Sequence, residues 1–303
     1  MMTIMDRSVL YQINSLEKPQ KISGFLKEKG YSRQNLVDLR KNEQAICLNG
    51  TYVHMNHMLA EGDVLTVWIR ETDNSGQIRP VKLPFAIVYE DEDLLVINKP
   101  AGMPVHPSRG NPDNSLGNAL AWYFKEQGVP FVFRCINRLD RDTTGALILA
   151  KNPLSAAILS VQMKKRQILR TYLALVDGLL PDSGTINAPI ARMEGSVITR
   201  EVNFETGESA ITHYERLAAG KEYSLAELHL ETGRTHQIRV HMKYIGHPLP
   251  GDYLYNPDYR RINRQPLHSY QLEFTHPITG KVMLFTAPLP IDFISAFYSN
   301  SLK

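Results

Sequence analysis

Hydrophobic residues follow two rhythms along the chain: helical spacing in some stretches, alternation or short continuous runs in others. In KISGFLKEKGYS, Ile22, Phe25 and Leu26 recur at helical spacing, with Ser23 and Gly24 near the start and Gly30 placed to end the helix. RQNLVDLRKNEQ repeats the pattern with Leu36, Val37 and Leu39, and it carries Arg33, Arg40 and Lys41 on the other face. AICLNGTYVHMN sets Asn49-Gly50 between two β-like runs, a strong hairpin signal. LAEGDVLTVWI turns at Gly62-Asp63 into a further strand. ETDNSGQIRPVKLP, residues 71–84, is polar with Gly and two prolines and reads as a linker, which suggests mobility.

Beyond the linker, FAIVYEDEDLLVINKPAGMPVHPS predicts strand, acidic turn, strand and a Pro/Gly-rich loop. The turn acids Glu90, Asp91, Glu92 and Asp93 are expected to be solvated. NSLGNALAWYFKEQG is amphipathic and helical, with Leu116, Leu120 and Tyr123 or Phe124 inward. GALILAK is a continuous apolar strand, and PLSAAILSVQMKKRQI a helix whose basic residues gather at the C-terminal end favoured by the macrodipole. RTYLALVDG, HYERLAA, YSLAELHLET and QLEFTHPITGKVMLFTAPLP read as strands. Strands following one another without a regular βαβ beat predict an α+β fold with a largely antiparallel mixed sheet flanked by helices and loops. The expected division is a small α+β domain at 1–75, a linker at 76–84 and a large domain at 85–303.

Composition adds little to this. With 43% hydrophobic and 21% charged residues the chain is ordinary for a globular protein. Mean hydropathy is −0.26, and no apolar run approaches the roughly 20 residues of a bilayer span. The N-terminal stretch has no secretory pattern, so a cytoplasmic location is expected. Cys47 and Cys135 are too few for a disulfide framework. His106, His213, His241 and His268 lack metal-ligand spacing, so neither metal nor cofactor is expected.

Charge matters through its placement. A net charge of +3 is mild, but Arg134, Arg138, Arg141, Lys151, Lys164, Lys165, Arg166 and Arg170 are opposed only by Asp140 and Asp142. A second basic run holds Arg234, His236, Arg239, His241 and Lys243. Such segments are either solvated faces or a footprint for phosphates, which supply most non-specific nucleic-acid affinity.

The candidate chemistry lies in INRLDRDTTGALILAK. Asp140 stands between Arg138 and Arg141, just ahead of a Thr143-Thr144-Gly145 turn. Flanking arginines would keep it ionised, which suits a nucleophile better than a proton donor. The alternative is a structural Asp–Arg pair capping the turn.

Two resemblances sharpen the reading. Ser32-Arg33, Asn49-Gly50 and Gly62-Asp63, in that order over some fifty residues, resemble the RNA-binding domain typified by ribosomal protein S-four. NRLDRDTTGALILAK resembles the catalytic motif of the RluA family of RNA pseudouridine synthases. INKPAGMPVHPS upstream and LETGRTHQIRVHM downstream are similar to two further blocks of that family, in the same order, and the likeness spans roughly 85–290. RTYLALVDG is similar to the segment that brings a tyrosine to the site. The resemblance implies the pseudouridine synthase fold, with Asp140 as catalytic aspartate, Tyr172 as the aromatic packed on a flipped uracil and Arg239 as the buried partner of Asp140. It also implies Arg138 as the side chain entering the RNA stack and Ile238 as an apolar wall. Arg234 and His236 are implied near the pocket, Arg141 at a phosphate or structural contact, and Lys99 and Pro100 as framework. Asn137 departs from the family pattern, standing where many relatives have His.

The expected activity is isomerisation of uridine to pseudouridine in structured RNA by base flipping, on ribosomal RNA or, second, transfer RNA. In the small domain Arg33, Arg40 and Lys41 are the expected RNA contacts, and the protein is expected to act as a monomer, away from membranes. A non-catalytic RNA-binding or ribosome-assembly protein on the same fold is the competing reading. A glycosidase would want a second acid across the scissile bond, and Asp142 is too near Asp140 in sequence to provide it.

Overall fold

The computed structural model describes residues 5–16, 18–71 and 78–301. Residues 72–77, most of the polar centre of the expected linker, lie outside the described residues.

The small module runs β1 (Met5–Gln12), β2 (Gln20–Lys21), α1 (Ile22–Glu28), α2 (Arg33–Arg40), β3 (Ile46–Leu48), β4 (Thr51–Tyr52), β5 (Met58–Leu59) and β6 (Val64–Glu71). Its antiparallel sheet has the order β1-β6-β3-β4. Ser32 caps α2 by accepting from Asn35 N–H, while the Asn35 side chain accepts from Ser32 N–H. Asn49 (φ 51°) and Gly50 (φ 83°) make the predicted hairpin turn. Asn49 also donates to Asp63 at 2.7 Å and accepts from Val64 N–H, so the two turn dipeptides brace one another. Strand β1 was not anticipated, because Leu10, at 64% exposure, breaks a clean inward–outward alternation around buried Val9.

The large domain adds β7 (Ala86–Glu90), β8 (Leu94–Lys99), α3 (Leu116–Glu126), β9 (Thr144–Ala150), α4 (Pro153–Lys164), β10 (Leu169–Asp177), β11 (Ser183–Asn187), β12 (Ile190–Arg192) and β13 (Arg200–Val202). It closes with β14 (Ile211–Ala219), β15 (Tyr223–Leu230), α5 (Gln237–Tyr244), β16 (Leu267–Thr275), β17 (Val282–Thr286) and α6 (Ile291–Ser301). Among the described residues one sheet carries β11-β14-β15-β10-β16-β9-β8-β7, with β17 beside β16. All its pairings are antiparallel except β9 with β16. The expected α+β class with a largely antiparallel sheet is observed. Strand β9 is buried along its whole length because both faces are covered. Leu147 and Leu149 join the core with α3, while Ala146 and Ile148 face a second core with Leu159 of α4. No helix among the described residues is long and apolar enough to cross a membrane.

The small module packs on the large domain. Leu154 of α4 is fully buried in the module's own core, with Ile158 and Ile278 against it. Arg7 clasps Asp93 at 3.0 and 2.9 Å, and Glu71 pairs with Arg134. The expectation of a solvated acidic turn holds for Glu92, 75% exposed, and fails for Asp93 and its neighbour Asp91. Asp93 is 3% exposed and also accepts from Asn152 and Ser155, while Asp91 accepts from two backbone N–H groups and from His276. Adjacent acids become buried in this way only when distant donors reach them, and sequence spacing cannot show those.

Candidate active site

The loop carrying Asp140 is fixed from three sides. Asn137, 3% exposed, accepts from Ile148 N–H at 2.8 Å and ties the loop's start to β9. The departure at position 137 is thus a brace beneath the loop. At the other end, Gly145 has φ +110°, and a Cβ there would lie 2.2 Å from the Ser269 carbonyl oxygen, so only glycine permits the close β9–β16 approach. From below, the fully buried Lys99 Nζ donates to the carbonyls of Pro100, Met103 and Arg141 at 2.8, 2.8 and 2.9 Å. Burial pushes this ammonium down to about 7, opposed by the charges of Asp142 and Asp140. The three carbonyls also favour the charged form, since a neutral amine has only two N–H donors.

Helix α5 brings the guanidinium. His236, with φ +58°, caps it in the left-handed region, and Gln237 pins this turn. The Gln237 carboxamide oxygen accepts from Thr232 Oγ1 and Arg234 N–H, and its nitrogen donates to the Ile211 carbonyl and Thr212 Oγ1. Arg239, 1% exposed, then donates from Nη1 to Asp140 Oδ2 at 2.9 Å. Its Nε and Nη2 donate to Asp252 at 2.6 and 2.7 Å. Burial opposes the charge on Arg239, but the hydrogen bonds to Asp252 and the negative charge of Asp140 outweigh it and hold the group above its ordinary value. The rings of Tyr255 and Tyr253 lie 5.0 and 5.6 Å from the guanidinium carbon.

His236 Nε2 stands 3.9 Å from Asp140, too far for a hydrogen bond. Burial lowers its pKa, with Asp140 only partly opposing, so the ring is neutral at neutral pH. Its Nδ1 is 2.9 Å from Tyr255 Oη, which itself accepts from Arg200 N–H.

Asp140, Arg239 and His236 line an open cleft of about 60 Å³ together with Tyr172, Ile238, Arg138, Arg234 and Leu267. Tyr172 reaches it at an irregularity in the β10–β16 register between Thr171 and Tyr172. Such a bulge re-aims a side chain. Burial pushes its phenol up, so the hydroxyl stays protonated. A larger cleft adjoins through Arg138, Asp140 and His236, bordered by His106 and Arg141. Asp140 keeps 28% of its side chain exposed, so a carboxylate held by a buried cation faces open space between apolar walls and exposed arginine.

Asp140, Tyr172, Arg239, Arg138, Ile238, Arg234 and His236 thus come together from three segments. Arg141 sits at the edge, forked onto Asp142 and 5.3 Å from the Tyr253 ring, so it is not the cation that holds Asp140. Arg33, Arg40 and Lys41 are exposed on and just after α2 in the small module, not among the cleft residues. His241 and His268 are buried and hydrogen-bonded within the fold. Asp91, Asp93 and His276 could group around a metal ion, but Arg7 and the backbone donors already occupy their oxygens. Sequence reasoning missed Asp252, Tyr253 and Tyr255. The only signal was an acid after a glycine and before two aromatics in PGDYLYNP, which nothing local distinguishes from a surface turn.

A family model described as RNA pseudouridylate synthase matches residues 93–244. The chain is 40% identical over 89% of its length, and 96% of the relative's, to the uncharacterized RNA pseudouridine synthase YjbO of Bacillus subtilis. It is 39% identical to ribosomal large subunit pseudouridine synthase D of Haemophilus ducreyi, over 87% of this chain and 85% of that one. Among solved structures, human RNA pseudouridylate synthase domain containing 1 matches with TM-score 0.56 and 26% identity, covering 73% of this chain and 97% of the other. Human RNA pseudouridylate synthase domain containing 4, at 24% identity and TM-score 0.58 over 70% of this chain and 92% of that one, shares the fold.

Proposed function

The chain belongs to the RNA pseudouridylate synthase family, and from that premise we propose that it isomerises uridines in ribosomal RNA with Asp140 as the catalytic carboxylate. The observation that carries the assignment is the buried Arg239 donating to Asp140 Oδ2 at 2.9 Å, in an open cleft walled by Tyr172 and Ile238. The reaction breaks the ribose C1′–N1 bond and forms C1′–C5. The C5 hydrogen leaves as a proton and N1 gains one, so the change is redox-neutral. The target base must leave its stack, at a cost of roughly a few kcal/mol offset by contacts in the pocket. In this reading Arg138 occupies the gap in the RNA stack, Tyr172 packs on the extruded ring and Ile238 excludes water. Arg234 and Arg141 meet phosphates, and His236 stays neutral beside the reacting carboxylate.

Ribosomal RNA is favoured as the substrate because relatives matched over most of their length include enzymes named for the large ribosomal subunit; transfer RNA is second. We assign residues 1–75 to a small RNA-binding domain of the S-four type, with Arg33, Arg40 and Lys41 on its RNA face, 76–84 to the linker and 85–303 to catalysis. The protein acts as a monomer in the cytoplasm. The test uses total RNA labelled with tritium at uridine C5, from cells lacking the protein. The intact chain should release the label and Asp140→Asn should not. Release by Asp140→Asn at the parent rate would remove the carboxylate from its role.

A further inference from the structure

We infer that the small module is a clamp on the segment that carries Asp140. Glu71 and Arg7 are its positioning residues, holding the two ends of the stretch 134–152. The expected effect on turnover rests on the assignment of Asp140 as the catalytic carboxylate; the clamp itself does not.

The stretch is a hairpin with Asp140 in its loop. One side is β9, buried in the sheet. The other is a short arm, residues 134–136, bound to β9 by two backbone contacts. Ala150 N–H donates to the Arg134 carbonyl, and Ile136 N–H to the Ile148 carbonyl, both at 2.9 Å. An arm this short is marginal by itself. Asp140 follows it by four residues, so fraying of the arm would reach the start of the loop.

The module meets the hairpin at both ends. At the arm, Glu71, the last residue of β6 and 7% exposed, pairs with Arg134. Beyond β9, the Asp93 carbonyl accepts from Lys151 N–H, and its carboxylate accepts from Asn152, which caps α4. Arg7 of β1 grips that same buried carboxylate through Nε and Nη2 at 3.0 and 2.9 Å. The two holds come from one ribbon. Strands β1 and β6 pair with Met5 opposite Glu71 and Arg7 opposite Ile69, so Arg7 and Glu71 leave the same face. The ribbon presents a cation and an anion, and the hairpin ends present the matching anion and cation. Such a pattern fixes one docking orientation. Leu154, early in α4, completes it by entering the module's core. A module serving only as a tether would need none of these contacts.

Glu71→Gln and Arg7→Met each release one hold in the full chain. The first readout is hydrogen–deuterium exchange across residues 134–150, followed by mass spectrometry. The second is kcat and KM for label release from the C5-tritiated total RNA, normalised to molecules that bind RNA. Each variant should exchange this stretch about tenfold faster, as a locally loosened element does. Its kcat should fall about tenfold, because misplacing a reacting group by a fraction of an ångström slows the reaction. Ile158→Glu, which displaces the module while leaving both ion pairs' side chains in place, should show the same two effects even if a single variant folds poorly. A tether would raise KM and leave exchange and kcat within about twofold of the parent. That result overturns the inference, and so does faster exchange with unchanged kcat. If Asp140→Asn releases label at the parent rate, the catalytic assignment fails, and exchange alone then decides the clamp.

Discussion

Replacing Arg239 by Met tests whether the centre of the site is held by charge. The substitution nearly conserves length and apolar bulk, so it isolates the loss of the cation. It leaves Asp252, with no exposed surface, as a buried carboxylate whose remaining donors are the N–H groups of Leu254 and Tyr255. Asp140, 28% exposed, can be solvated and contributes less. Breaking a buried ion pair from one side costs about 3–5 kcal/mol. At about 2–4 °C per kcal/mol for a large domain, the melting temperature at pH 7 should fall by about 6–20 °C. Adding Asp252→Asn removes the stranded charge and should recover at least half of that loss while leaving the enzyme inactive. Thermal unfolding followed by near-ultraviolet circular dichroism at pH 7 measures both shifts. A single variant melting within about 2 °C of the parent, or a double variant no more stable than the single, would refute the reasoning.

Ile158→Glu puts a charge where Ile158 packs against Gly30, whose added Cβ would lie 2.7 Å from Ile158 Cγ1. Limited proteolysis should then separate the small module from the large domain at least tenfold faster, and an unchanged digestion rate would contradict the docked arrangement. His268 is buried and its pKa is pushed down to about 4 by burial, with Nε2–H donating to the Ala287 carbonyl and Nδ1 accepting from Thr144. Because the folded pKa lies below the unfolded 6.5, its stabilising contribution is present above pH 6.5 and is lost as pH falls from there towards 4, roughly 3 kcal/mol in all. His268→Gln should flatten the parent's decline in melting temperature over that range, and parallel curves would count against it.

The helices from Ile22 and Leu116, the Asn49-Gly50 hairpin and the buried strand from Thr144 were legible because each depends on local spacing or on one turn's chemistry. Helix α6 and strand β1 were not, because short amphipathic segments at chain ends take their conformation from what they pack against. Arg7 illustrates this: nothing around it in sequence marks it as the partner of Asp93, 86 residues away. Arg141 is the reverse case. It adjoins Asp140 in sequence, yet its guanidinium turns to Asp142.

The sequence by itself determined which blocks carry chemistry and in what order they come, since motif identity and hydrophobic period are properties of neighbouring residues. Only the tertiary structure decided the further charge partners. The family resemblance implied that Asp140 pairs with an arginine 99 positions away, but not that this arginine also forks onto an aspartate 13 positions further on. Side-chain electrostatics act over a few ångströms of space, and which groups share that space is set by the path of the folded backbone.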